Sequence, residues 1–264
     1  LHYGKDGCNR HVLIDECREL FGEIYEQIPE LPFCNIWTAM QLSSRLPKGA
    51  LFHMGVSNTR RCWNMFQLPE SVESACNVGC CGIDGCVSTL VGASLVNPDR
   101  LCYVVVGDLT FFYDLNSLGN HHIGTNLRVM LVNNGRGTEF RLGIHHCNVF
   151  GDDADKYMAA AGHFGNKSPL LVKHYAEDLG FHYLSATTKE EFMTALSNFT
   201  NPQLSDHSMI LEVFTDSKDE SEALYLMSHI QSDAKGMVRS KLKDAVRNVA
   251  GEKGINAIKK ILKK

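Results

Sequence analysis

Two short stretches carry the residue types that could hold a charged ligand. Gly107-Asp108-Leu109-Thr110 follows the apolar run Leu101 to Val106, and Asn133-Asn134-Gly135-Arg136-Gly137 follows the run Leu127 to Val132. A carboxylate and an amide oxygen at neighbouring strand ends, with glycines that let the backbone come close, suit a hard cation and a diphosphate bound together. Mg²⁺ takes oxygen ligands in octahedral geometry, usually from only one or two carboxylates, with phosphate oxygens and water completing the shell. Main-chain amides at the start of a helix after Asp108 would face the phosphates. Taken singly, each stretch is weak evidence, because Gly-Asp turns arise by chance and Asn-Asn-Gly makes a good turn without any ligand. The order and spacing raise the odds: 26 residues separate Asp108 from Asn134 and close one strand-helix-strand unit.

Such strand ends need a scaffold that aligns them. Candidate strands are Ala50 to Met54, Val72 to Cys76, Leu101 to Val106, Leu127 to Val132, Phe181 to Leu184 and Met209 to Phe214. Helical stretches alternate with them at about 35–45, 84–96, 112–122, 168–179 and 188–199. This alternation predicts an α/β fold, doubly wound, with a mainly parallel sheet covered by helices on both faces and sites at the carboxyl ends of the strands. Residues 10–30 carry Val12, Leu13, Cys17, Leu20, Phe21, Ile24 and Ile28 at helical spacing and end at Pro29. Between Phe150 and Ser168 no strand is expected; Asp155 to Ala161 could form a short helix, either a lid over a site or a plain surface excursion. No internal repeat is visible.

Composition excludes several classes. With 264 residues, 44% of them hydrophobic and 21% charged, the chain can bury a core and is neither wholly disordered nor collagen-like. No apolar run approaches the ~18–20 residues of a membrane span, and no secretory signal opens the chain, so a cytoplasmic location is expected. The first residue is Leu1 rather than an initiator Met, so the chain can be a piece of something longer. Ten cysteines among apolar neighbours read as reduced, mostly buried thiols. The group Cys76, Cys80, Cys81 and Cys86 lacks a Cys-x2-Cys pair, so a zinc site is the weaker reading; His145, His146 and Cys147 are discounted similarly. Net charge is −4, unevenly spread: residues 235–264 hold ten basic residues against Asp244 and Glu252, a net +8, which leaves −12 on the first 234. That basic amphipathic tail, with Val238, Leu242, Val246 and Val249 at helical spacing, either packs on its own domain or lies on an anionic membrane surface. No aromatic residue accompanies its charges as a stacking platform, which argues against nucleic acid.

The stretches GVSNTRR (55–61), CNVGCCGIDGCVST (76–89), GDLTFFYDLNSL (107–118) and VNNGRGTEF (132–140) resemble the thiamine diphosphate-dependent enzyme family. Within it they resemble the C-terminal, diphosphate-binding domain of the menaquinone-pathway synthase that makes 2-succinyl-5-enolpyruvyl-6-hydroxy-3-cyclohexene-1-carboxylate. The similarity covers about residues 34–225, and it implies a helical linker at 1–33, the cofactor domain at 34–225 and the basic tail at 226–264. By that resemblance, Asp108 and Asn134 give side-chain oxygens to Mg²⁺, and Arg136 its main-chain carbonyl. Gly107, Leu109 and Thr110 would border the diphosphate. Ile83 would be the apolar wedge under the cofactor, and the backbone near Cys81 and Gly82 would meet the aminopyrimidine. Ser57 and Arg61 match positions that hold substrate carboxylates, and Phe140 an aromatic near the substrate.

The resemblance further implies decarboxylation of a 2-oxo acid and transfer of the resulting carbanion to an acceptor, in a homo-oligomer. Two departures qualify it. Where the family has Asn-Arg-Gly before the wedge, this chain has Asn77-Val78-Gly79, which points to a different acceptor. The glutamate that activates the cofactor belongs to a pyrimidine-binding domain for which residues 1–33 are too few, so that domain is expected from a longer chain or a second subunit. The rival reading is a catalytically silent domain that keeps the fold for interaction or regulation. A Rossmann-like nucleotide site at Gly135-x-Gly137 is weaker, because the full Gly-x-Gly-x-x-Gly fingerprint is missing.

Overall fold

The computed structural model describes residues 9–79, 82–142, 145–157 and 168–230. Six strands form one sheet in the order β2-β1-β3-β4-β6-β5, every neighbouring pair parallel. They are β1 (Leu51–Met54), β2 (Glu73–Cys76), β3 (Cys102–Gly107), β4 (Leu127–Asn133), β5 (His182–Ala186) and β6 (Met209–Phe214). Each falls where the apolar runs predict it, to within two residues. The helices are α1 (Asn9–Glu26), α2 (Asn35–Ser43), α3 (Asn58–Trp63), α4 (Cys86–Leu95), α5 (Asp108–Tyr113), α6 (Ala154–Tyr157), α7 (Leu171–Asp178), α8 (Lys189–Phe199) and α9 (Ser217–Ser228). Among the described residues no helix is long and apolar enough to cross a membrane.

Both faces of the sheet are covered, which is why β3 and β4 read as unbroken apolar runs rather than alternating ones. On one face Val104, Val106, Val129, Leu131 and Ile210 pack with Val87, Leu90 and Val91 of α4 and Val172 and Ala176 of α7. The opposite face carries aromatic contacts: Phe52 against Trp63 of α3 at 5.1 Å between centroids, and Tyr103 against Phe199 of α8 at 5.5 Å. The Tyr103 hydroxyl, buried with its ring, donates to the Phe199 carbonyl at 3.1 Å, so that hydroxyl is satisfied. The chain divides into two compact units; Pro32–Leu224 holds the whole sheet, and the other comprises residues 1–31 and 225–264.

Two expectations need correction. The helix expected over 112–122 instead starts at once at the strand end, as α5, and is followed by a 3₁₀ turn at Leu115–Gly119. Asp108 heads it: Gly107 is extended, and the Asp108 carboxylate accepts from the Leu109 amide at 2.8 Å, favourable at the positive end of a helix. It stops at Asp114, whose carbonyl accepts from the Ser117 hydroxyl at 2.7 Å as the chain tightens into the 3₁₀ turn. Helix α3 was not foreseen. It is only six residues long, too short to show a period, and is held by the buried side chains of Thr59, Cys62 and Trp63. The expected 155–161 helix corresponds to α6, and residues 158–161 lie outside the described residues, as does the basic tail beyond residue 230.

The described cysteines are all free; Cys34, Cys62, Cys86 and Cys102 are buried, whereas Cys17 is exposed. Burial pushes the Cys34 thiol up to about 12 and Cys102 up to about 11, which keeps them protonated and unreactive. Cys80 and Cys81 lie outside the described residues, and no group of three metal-ligating side chains occurs among those described.

Strand β1 lies between β2 and β3, so the connection from β1 to β2 runs toward one edge of the sheet and that from β3 to β4 toward the other. This reversal opens a crevice at the carboxyl ends of β1 and β3, the usual ligand position in such sheets. Gly85, the N-cap of α4, has a φ of +77°, where a β-carbon would be strained, and its carbonyl accepts from the Asn77 side chain at 3.2 Å. Asp114 accepts from the Ser88 amide in the first turn of α4 at 2.6 Å while being 8% exposed. Asp114 thus caps α4 from a different element. Asp114→Ala should lower unfolding free energy by about 2 kcal/mol, and Asp114→Asn by less, in urea titrations. An alanine variant as stable as the parent would remove the cap from the account.

Candidate functional site

A cavity of about 510 Å³ opens at the crevice. Nine of the residues singled out in the sequence line it: Ser57, Arg61, Ile83, Gly107, Asp108, Leu109, Thr110, Asn134 and Arg136. Gly82 does not, although a β-carbon there would lie 2.5 Å from the Asp84 carboxylate. Cys81 and the side chain of Phe140 lie outside the described residues.

The parallel register of β3 and β4 pairs Gly107 with Val132, so the turns that follow both strands open into the same cavity. Asp108 is 3% exposed. After β4, Gly135 takes a φ of +80°, and the turn is closed by side chains: Asn133 accepts from the Gly135 amide at 3.2 Å and Asn134 from the Arg136 amide at 3.3 Å. The Asn133 amide donates to buried Glu212 of β6 at 2.8 Å, and the Tyr183 hydroxyl donates to the same carboxylate at 2.7 Å. Burial raises the Glu212 pKa, and these two donors work against that rise without cancelling it. The turn that presents Asn134 is therefore pinned to two further strands.

Three residues of the cavity were not foreseen. Glu220 of α9 is 6% exposed, and its Oε1 accepts from the Asn35 amide at 3.0 Å and the Thr215 hydroxyl at 2.6 Å. Burial pushes its pKa up to about 7, and the charges of Asp219 and Asp108 add to that. Asn35, at the start of α2, accepts from the Trp63 indole at 2.9 Å. The available sequence signal was Glu220 on the same helical face as the buried Ala223 and Leu224, where a charged residue is unexpected.

The third is Glu139. Its Oε2 accepts from the Ser57 hydroxyl at 2.5 Å and forms an ion pair with Arg61 Nη1, which also donates to Asn58 at 3.1 Å. Burial works to raise the Glu139 pKa, but the bonds from Arg61 and Ser57 outweigh it and hold the carboxylate below its ordinary value. Ser57, the residue that precedes α3 as its N-cap, sits at φ 65°, ψ −128°, a conformation that favours glycine. Val78, where the resembled family has arginine, also lines the cavity and is 43% exposed.

Two measurements follow from this geometry. Ser57→Gly relieves the backbone strain while losing the hydroxyl, whereas Ser57→Ala loses the hydroxyl and keeps the strain, so the glycine variant should be more stable than the alanine variant by about 1 kcal/mol or more. Equal stabilities would show that the strain is absent. For Glu220 the folded state binds a proton that the unfolded state has lost between pH 4.5 and about 7, so its contribution is full below 4.5 and lost as pH rises through 7. Glu220→Gln should therefore gain on the parent as pH rises from 5 to 8, by up to about 3 kcal/mol. A pH-independent difference would contradict the raised pKa.

The chain is similar to curated proteins named 2-succinyl-5-enolpyruvyl-6-hydroxy-3-cyclohexene-1-carboxylate synthase. It is 34% identical to that of Bacteroides fragilis over 196 residues, covering 74% of this chain and 34% of the relative. The Phocaeicola vulgatus protein is 34% identical over 200 residues, 75% of this chain and 34% of the relative. That of Christiangramia forsetii is 33% identical over 199 residues, 75% and 33% of the two chains. The chain spans about a third of the length of the curated relatives it matches. No family model matches it.

Proposed function

We propose that residues 34–225 form the diphosphate- and Mg²⁺-binding part of a thiamine diphosphate-dependent enzyme that decarboxylates a 2-oxo acid and transfers the resulting carbanion. The similarity to the synthases supports the reaction class. The observation that carries the reading is that Asp108 and Asn134 follow neighbouring parallel strands and line one cavity with Ile83. The donor set suits the ligand. One buried carboxylate, one amide oxygen and the Arg136 carbonyl are hard oxygen ligands, too few to hold Mg²⁺ alone and suited to sharing it with phosphate oxygens.

In this reading Asp108 and Asn134 hold the metal, and the backbone of Gly107, Leu109 and Thr110 borders the diphosphate. Thiamine diphosphate, when bound, supplies the carbanion chemistry as an electron sink. Half-buried Ile83 would give the cofactor apolar support and keep water from it there. Asn133 and Glu212 act through Asn134 by fixing its turn. Arg61 and Ser57 border the substrate end. Val78 in place of arginine withdraws one carboxylate-binding fork, and this favours an acceptor different from that of the synthases. The activating glutamate would come from a pyrimidine-binding domain, in trans or from a longer chain, within a homo-oligomer; residues 226–264 would flank the domain as a basic tail. The same Val78 favours a second reading, a silent domain that keeps the fold for interaction.

Calorimetric titration with thiamine diphosphate separates these readings. Binding should require Mg²⁺, and Asp108→Ala should weaken it by at least tenfold. Affinity that is unchanged in the variant, or indifferent to Mg²⁺, would overturn the assignment.

A further inference from the structure

In the wall of the cavity, a site built for an anion already contains one. Ser57 and Arg61 supply a hydroxyl and a guanidinium, the donors a carboxylate would use, and both are engaged by Glu139 of the same chain. Arg61 and Glu139 are only partly exposed, with side-chain accessibilities of 37% and 23%, so their pairing is shielded more than a surface ion pair. The same guanidinium nitrogen also donates to the Asn58 side chain at 3.1 Å. The strained backbone at Ser57 aims the hydroxyl at this carboxylate. Glu139 itself follows the Asn134 turn by only five residues, within the 3₁₀ turn Thr138–Arg141, so its tether to the cavity wall is short. A short tether gives the internal carboxylate a high effective concentration at Arg61. A second carboxylate arriving from solution would have to displace it and would meet its negative charge.

We propose that Glu139 is a specificity-determining residue: it fills the anion-binding corner of Ser57 and Arg61, so that the cavity excludes carboxylates there and takes a substrate whose group at that corner is uncharged. Val78, which also lines the cavity, adds no cation of its own. That the excluded group belongs to the acceptor rests on the carbanion-transfer reading above; the exclusion itself needs only Ser57, Arg61 and Glu139.

The test compares malonate with its neutral isostere malonamide, in the absence of cofactor and at constant ionic strength, through the ligand dependence of the thermal unfolding midpoint. The parent chain should show no preference for malonate. Glu139→Ala frees the corner and should prefer malonate by at least tenfold, and the isosteric Glu139→Gln, which guards against misfolding, should shift in the same direction. Glu139→Ala combined with Arg61→Met should lose the preference. A parent chain that already prefers malonate tenfold, a Glu139→Ala variant that gains nothing, or a double variant that keeps the gain would each overturn the proposal. Neither Mg²⁺ nor thiamine diphosphate enters this measurement, so its failure is distinct from a failed cofactor titration.

Discussion

The site depends on one alignment. Strands β3 and β4 run parallel, with Gly107 beside Val132, and both are buried on two faces. A slip of one residue along β4 would turn its inward side chains to the other face and break two packed layers at once. The register is therefore held by the whole core rather than by the residues at the strand ends. Because the core fixes the strands, the turns that follow them can be short and polar. Asp108 and Asn134 inherit their proximity from Val104, Val129 and their neighbours, none of which touches a ligand.

The same rigidity lets the cavity hold carboxylates in three distinct environments. Asp108 sits at the start of a short helix and accepts from the amide of Leu109. Glu139 is neutralised by a guanidinium. Glu220 is deeply buried with only neutral donors, so burial dominates and its proton is retained to about pH 7. Glu139 is thus held charged while Glu220 keeps its proton to about pH 7, because each faces different partners, a separation that a mobile wall would average away.

Much of this was legible in the chain. The strands were, because a strand buried on both faces leaves a continuous run such as Cys102 to Val106. The turns were, because Gly-Asp and Asn-Asn-Gly combine ligand atoms with glycine. Residues that act through tertiary pairing left fainter traces. Glu139 reads as an ordinary charge after a loop until Arg61, far away in sequence, is brought beside it. Glu220 stands more than eighty residues beyond Asn134, and only its position on a buried helical face hints at its place. Helix α3 and the bounds of α5 were missed for a local reason: their six residues are held by Trp63, Phe111 and the Asp108 cap, and periodicity cannot register so short a span.

The contact between Asp114 and the Ser88 amide makes a ruler of the segment between Asp108 and Asp114. One end is tied to the tip of β3 and the other to the first turn of a neighbouring helix. Each inserted residue would rotate Asp114 by about 100° around α5 and carry it away from Ser88. Length variation in this region of the chain should thus gather in the exposed loop from Gly119 to Thr125, beyond the second anchor, where added residues cost little order.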